Sequence, residues 1–98
     1  MIRSFRDPGP DDLFNARDSK RARKCCPREL WAVARRKLEL LDSAGALVDL
    51  RVPPANRLEA LKGDRVGQHS IRINDQFRVC FIWTPLGPEH VEIVDYHA

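Results

Sequence analysis

Near the C-terminal end of the sequence stand Asp95, Tyr96 and His97. A carboxylate, a phenol and an imidazole crowded together can move protons, and an aromatic ring can stack on a nucleobase. The plainer reading is a polar tail. Arg72 and Arg78 flank the turn-forming pair Asn74-Asp75. Set in neighbouring strands across that turn, two guanidinium groups can jointly stabilise charge building on a phosphate. They can equally be surface arginines paired with Asp75 or Glu92. Lys62, just before Gly63, is a third cation able to converge on the same place.

The net charge of +3 over 98 residues says little, but its distribution says more. Between Arg17 and Lys37 stand nine basic residues, Arg21, Arg23 and Lys24 among them, against the acidic Asp18 and Glu29. That stretch carries +7 and the remainder −4, a concentration that suits a polyanion or an acidic protein partner. A solvated helix face with a basic loop would look the same.

The length suits one domain over residues 1–98. Cys25, Cys26 and Cys80 show no CxxC or Cys/His spacing for zinc, and nothing else assembles a convincing metal site, so no cofactor is expected. Three free thiols, no signal-peptide core and no apolar run of membrane length point to the cytoplasm.

Residues 1–5 (MIRSF) alternate like a short first strand, broken by Pro8-Gly9-Pro10. Asp11 and Asp12 then favour a helix start, with Leu13 and Phe14 as anchors. This helix is expected to dissolve in the basic stretch 18–24. A second helix begins near Pro27 and runs to about Ser43, with Leu30, Val33, Ala34, Leu41 and Ala44 on one face and Gly45 closing it. Pro53-Pro54 excludes regular structure from the following connection. Residues 57–61 lead into the Lys62-Gly63-Asp64 turn. Strands follow over 68–73, from Phe77 to Trp83, and over 91–97. Ile71, Ile73, Phe77, Val79 and Phe81 form the face that the helices cover. Ser70, Arg72 and Arg78 occupy the opposite, wet face. The fold class is α+β, with an N-terminal strand and a two-helix hairpin packed on one face of a small antiparallel sheet.

The segment LEALKGDRVGQHSIRINDQFRVCFIW, the terminal VEIVDYH and the opening MIRSF together resemble the HigB-type toxins of the RelE/ParE toxin–antitoxin superfamily. The LKGD turn, the SIRIN-x-Q-x-R hairpin and the final DYH carry the likeness, which spans nearly the whole chain. It implies a RelE-like fold and an endoribonuclease that cuts A-site mRNA on the 70S ribosome. It also implies neutralisation by a HigA-type helix-turn-helix antitoxin, with operator DNA reached only through that partner. Carried over by position, the family's functional set falls on Lys62, Arg78, Asp95, Tyr96 and His97. Arg72 is a neighbouring cation, and Gln76 stands where many relatives have Asn. Arg21, Arg23 and Lys24 join Lys62, Arg72 and Gln76 as expected RNA contacts.

One departure matters. Many relatives read LHPLKGD, whereas this chain reads LEALKGD, with Glu59 in place of histidine. A carboxylate in water is a weaker base than imidazole and repels an incoming phosphate. Glu59 is therefore either a catalytic base of reduced power or a structural residue. The alternatives are a weak or degenerate toxin acting mainly as an antitoxin-binding module, and a ParE-like gyrase poison. A ParE-like chain would not need Arg78 and the Asp-Tyr-His cluster.

Overall fold

A computed structural model of the chain describes residues 1–96. The expected role of His97 lies outside the described residues. Three helices, α1 (Pro8–Phe14), α2 (Lys20–Cys25) and α3 (Trp31–Ser43), pack on one face of an antiparallel sheet. Its strands β1 (Glu59–Ala60), β2 (His69–Arg72), β3 (Phe77–Thr84) and β4 (Gly87–Asp95) lie side by side in chain order. No helix among the described residues is long and apolar enough to cross a membrane.

Residues 1–5 run extended along the outer edge of β4, joined to it by a parallel bridge at Phe5 and Val91. Three backbone bonds hold this segment: Arg3 N to Pro88 O, Val91 N to Ser4 O and Arg6 N to Val91 O. They satisfy groups that a bare sheet edge would leave open. Close approach here requires Gly87. Its φ is +129°, and a Cβ would collide with the Met1 carbonyl oxygen.

The first helix starts earlier than the Asp11-Asp12 pair suggests. Pro8 occupies its first turn, and the Asp7 carboxylate accepts the Gly9 N–H at 3.1 Å. This helix ends at Phe14, ahead of the basic stretch in which it is expected to dissolve, and that stretch forms a separate helix, α2. Ser19 caps this helix by accepting from Ala22 N at 3.0 Å, and its hydroxyl donates to Asp12 Oδ2 at 2.7 Å. Ala22 is fully buried, and Arg23 and Lys24 sit in the last turn, where the helix dipole favours cations. Gly9 lets α1 and α2 meet, because a Cβ there would lie 2.8 Å from the Arg21 carbonyl oxygen.

Residues 28–30 form a single 3₁₀ turn leading into α3. Ala34, Leu38 and Leu41 of α3 are fully buried, whereas Leu30, Val33 and Ala44 pack around that centre half-buried. The helix ends with Ala44 turning extended. Gly45 is not left-handed, and the Asp49 carboxylate instead accepts the N–H groups of Gly45 and Ala46. The proline-bearing connection forms two short 3₁₀ turns, 47–51 and 54–56. They are secured by buried Asn56, which donates to Leu50 O at 3.1 Å and accepts from Lys37 Nζ at 2.5 Å.

Against the helices lie Ile71, Ile73, Phe77, Val79, Phe81 and Val91, in one core cluster with Leu13, Leu38, Leu41 and Leu50. Each large aliphatic side chain removed from water there contributes roughly 1.5–3 kcal/mol. Asn74 Oδ1 accepts from Gln76 N and Phe77 N and so shapes the β2–β3 turn. That turn sets Arg72 directly opposite Arg78. β4 is longer than expected and carries a bulge, where the register shifts between Cys80 and Ile82 and His90 adopts a φ of +52°.

Candidate active site on the open sheet face

Period-two alternation sends Glu59, Ser70, Arg72, Arg78, Cys80 and Glu92 to the face away from the helices. Arg78 lies at its centre, with a side chain only 13% exposed. Its Nη1 donates to Ser70 Oγ at 2.6 Å and to the Arg57 carbonyl oxygen at 3.4 Å, and its Nη2 donates to Glu59 Oε1 at 3.2 Å. The guanidinium carbon also lies 5.8 Å from the centre of the Tyr96 ring, within cation–π range. Buried Ser70 thus fixes the orientation of a cation whose other side meets an exposed aromatic ring and a carboxylate.

Glu59, on the two-residue edge strand β1, is exposed and ion-paired to Arg78. Arg72 forms its ion pair with Asp75, whose carboxyl is held below the usual carboxylate range by that guanidinium. Glu92 pairs with neither Arg72 nor Arg78. It accepts from Arg65 at 3.1 Å and from Arg6 at 3.4 Å. Arg65, whose Nη1 also donates to Gln68 Oε1 at 3.0 Å, was not among the sequence-derived candidates. The Glu92 hydrogen bond holds the Arg65 guanidinium above its ordinary range, and Glu92, paired opposite Cys80, sets the pair on the same sheet face as Arg78. The only signal for it was a carboxylate at position 92, facing the open side of the sheet and needing a cation.

Gln76 has a defined job. Its carbonyl oxygen accepts from Tyr96 N at 2.5 Å, and its Nε2 donates to Asp95 Oδ2 at 3.1 Å. The turn therefore holds the end of β4, and with it the Tyr96 ring over Arg78. Asp95 is paired with Phe77, so it belongs to the opposite face from Arg78. There it lines a cavity of about 720 Å³ together with Phe77, Ile93 and residues of α1 and α2, among them Arg21, Arg23 and Lys24. Lys62 is exposed at the start of the 63–65 turn. The structure brings Arg78, Glu59, Tyr96 and Ser70 together. It sets Asp95 and the α2 cations on the neighbouring side of the strand end, and the Asp95–Gln76–Tyr96 link joins the two.

The α2 cations are partly engaged. Arg23 and Arg28 both reach Asp18 at 2.6 Å, and Arg21 lies 3.7 Å from Asp12. The Ser19 hydroxyl, ahead of Arg17 and Arg21, holds the Asp12 carboxyl below its ordinary range. His69 faces the helices and stacks on Phe81 at 6.3 Å, away from Arg78. Among the described residues, no group of three His, Cys, Asp or Glu side chains could hold a metal ion.

The helix-covered, four-stranded antiparallel sheet fits a RelE-like fold. The chain matches the profile of the RelE-like toxin of type II toxin–antitoxin system HigB over residues 3–97, and it belongs to that family. Over 83 residues it is 42% identical to Toxin HigB-1 of Vibrio cholerae serotype O1, covering 85% of this chain and 84% of that protein. An uncharacterized protein of Haemophilus influenzae is 40% identical over 55 residues, covering 56% of this chain and 54% of that one. The chain is thus a toxin-family member of a type II system, a class that works against an antitoxin partner.

Proposed function

We propose that this protein is a ribosome-dependent endoribonuclease that cuts mRNA in the A site and is neutralised by a HigA-type antitoxin in the cytoplasm, acting as a single domain. The observation that carries this reading is Arg78, anchored by Ser70 and faced by Tyr96 on an open surface. A guanidinium offers more donors than its three protein contacts use, so it can also hold a phosphate.

In this reading the mRNA 2′-hydroxyl attacks the adjacent phosphorus, giving a 2′,3′-cyclic phosphate and a 5′-hydroxyl. Arg78, supported by Arg72 and Lys62, stabilises the charge on the phosphorane. Tyr96 stacks on a nucleobase or orients the sugar. Glu59 is the candidate base. Asp95 and His97 are the candidates for the remaining proton transfer, Asp95 being steered by Gln76. The cations supply the charge that a metal would otherwise bring, so chelation should not stop the reaction. Arg21, Arg23 and Lys24 serve as phosphate contacts to RNA.

The Glu59–Arg78 ion pair gives the second reading its one support. A carboxylate occupying the phosphate-binding cation lowers its reach for RNA, as in a weak toxin retained mainly to bind antitoxin. Incubating the purified chain with mRNA, with and without programmed ribosomes, separates the two. Cleavage only with ribosomes, unaffected by EDTA once ribosome integrity is controlled, supports the nuclease. No cleavage in either case supports the binder.

A further inference from the structure

Arg72 belongs to a second group of cations, on the β1–β2 side of Arg78, whose other members the RNA reading leaves unassigned. Arg36 and Lys37 stand on α3, Arg57 follows the 54–56 turn, and Arg72 ends β2. Buried Asn56 ties α3 to that turn, because its Oδ1 accepts from Lys37 Nζ at 2.5 Å. The Lys37 ammonium is held below the usual lysine range, first by burial and then by the positive charge of Arg36 and Arg72. Asp75 is the carboxylate of the group, ion-paired with Arg72 and lying in the field of Arg57. Exposed Arg36 and Arg57 form no ion pair among the described residues. Like charges gathered this way repel one another, and a polyanion relieves the repulsion.

Arg57 gives a second, independent sign. Its φ is +46°, a left-handed backbone that favours glycine over a long side chain. Its N–H donates to Pro54 O at 3.1 Å, and its carbonyl oxygen accepts from Arg78 Nη1 at 3.4 Å. Backbone strain of this kind persists where surrounding contacts over-determine it, and it gathers at functional sites. One residue thus supports the central guanidinium through its main chain and presents an unpaired cation next to it.

We propose that Arg36, Arg57 and Arg72 bind the phosphates that flank the scissile bond in single-stranded RNA, so that the strand crosses Arg78 and leaves over the β1–β2 side. Half-buried Lys37 reinforces the positive field. The position of the scissile phosphate at Arg78 rests on the RNA-cleavage reading. Two features favour a nucleic-acid strand over an acidic protein. The group is continuous with the Arg78 guanidinium, and the Tyr96 ring beside that guanidinium gives a base a surface to stack on.

The test uses the isolated chain, without ribosomes, and fluorescent 2′-O-methyl RNA oligonucleotides, which lack the 2′-hydroxyl needed for cleavage. Fluorescence anisotropy across a salt series gives the affinity and its log–log slope. Arg36→Gln combined with Arg57→Asn should weaken binding and flatten the slope by about one to one and a half units, about 0.7 for each phosphate contact. Asn tolerates the left-handed backbone, so this change removes the charge and keeps the turn. Arg57→Lys should keep the slope, and Arg3→Gln, at the far edge of β4, should leave it unchanged. Where the Arg57 turn does not tolerate substitution, Arg36→Gln alone should flatten the slope by about 0.7.

No binding by the wild-type chain, an unchanged slope in the double variant, or an equal loss in Arg3→Gln would overturn the proposal. So would a double variant that loses a polyglutamate peptide and keeps the oligonucleotide, since the partner would then be an acidic protein. The oligonucleotide cannot be cut, so the two readings fail separately. The expected slopes without cleavage on ribosomes would fault the nuclease alone, and cleavage with unchanged slopes would fault the flanking phosphate contacts alone.

Discussion

Glu59 Oε1 lies 3.2 Å from Arg78 Nη2, so the carboxylate on the edge strand β1 is engaged with the cation at the centre of the open sheet face. In the proposed nuclease, losing Arg78 removes the phosphate-binding charge, whereas neutralising Glu59 frees that charge while removing a candidate base. Arg78→Ala should therefore lower ribosome-dependent cleavage by about a hundredfold or more. Glu59→Gln should change it less, measured as single-turnover rates on ribosome-bound mRNA. A larger loss in Glu59→Gln would make Glu59 the principal catalytic group.

Ser70 is buried and bonded to Arg78 at 2.6 Å, so in the proposed reaction its part is to position that guanidinium. Ser70→Ala should reduce the cleavage rate by a smaller factor than Arg78→Ala, and Ser70→Thr, which keeps the hydroxyl, should recover part of it. Ribosome affinity should stay within about twofold of wild type in both, since the basic face is untouched. An equal loss in Ser70→Thr and Ser70→Ala would show that only the space, and not the hydroxyl, matters.

Much of this arrangement was legible in the sequence. The alternation from Phe77 to Trp83 and the Asn74-Asp75 turn gave the β2–β3 hairpin, because period-two burial is a local signal. Arg72 and Arg78 then followed as a facing pair. Helix α2 was not legible, because its six residues carry four cations and gain their place from Ala22 in the core and from the Asp12–Ser19 bond. Nor was the separation of Asp95 from Tyr96. Adjacent strand residues point to opposite faces, and only the register with Phe77 shows which of the two meets Arg78. Arg65 escaped because its partner Glu92 is distant in sequence and close only once β4 is paired.

The Asp12–Ser19 link gives a pH dependence with a defined sign. Its folded pKa is depressed, chiefly by the Ser19 hydroxyl, so its contribution is present above the unfolded value of about 3.9 and is lost as pH falls through the folded value. Asp12→Asn should lower the urea midpoint at pH 7, and the gap to wild type should close below about pH 4. A gap independent of pH would mean that shape, not charge, makes the link.

Gly87 is held at φ +129° against the Met1 backbone. Gly87→Ala should destabilise the fold by about 1–3 kcal/mol, seen in thermal unfolding, with exchange protection lost first at Arg6 and Val91, whose amides join the N-terminal segment to β4. An unchanged melting temperature would show that this edge carries little of the stability.

The basic α2 face should make ribosome binding steeply dependent on salt. Replacing Arg21, Arg23 and Lys24 by Gln should flatten the log–log slope by about two to three units, measured by sedimentation across a salt series. An unchanged slope would place the polyanion contact elsewhere.

The most direct test is genome-wide mapping of mRNA 5′ ends after induction of the wild-type chain and of Arg78→Ala. New 5′-hydroxyl ends are expected inside translated reading frames, absent in Arg78→Ala and absent when translation initiation is blocked. Growth arrest without new ends would contradict mRNA cleavage and point to another target such as gyrase, and ends that persist without translation would contradict dependence on the ribosome.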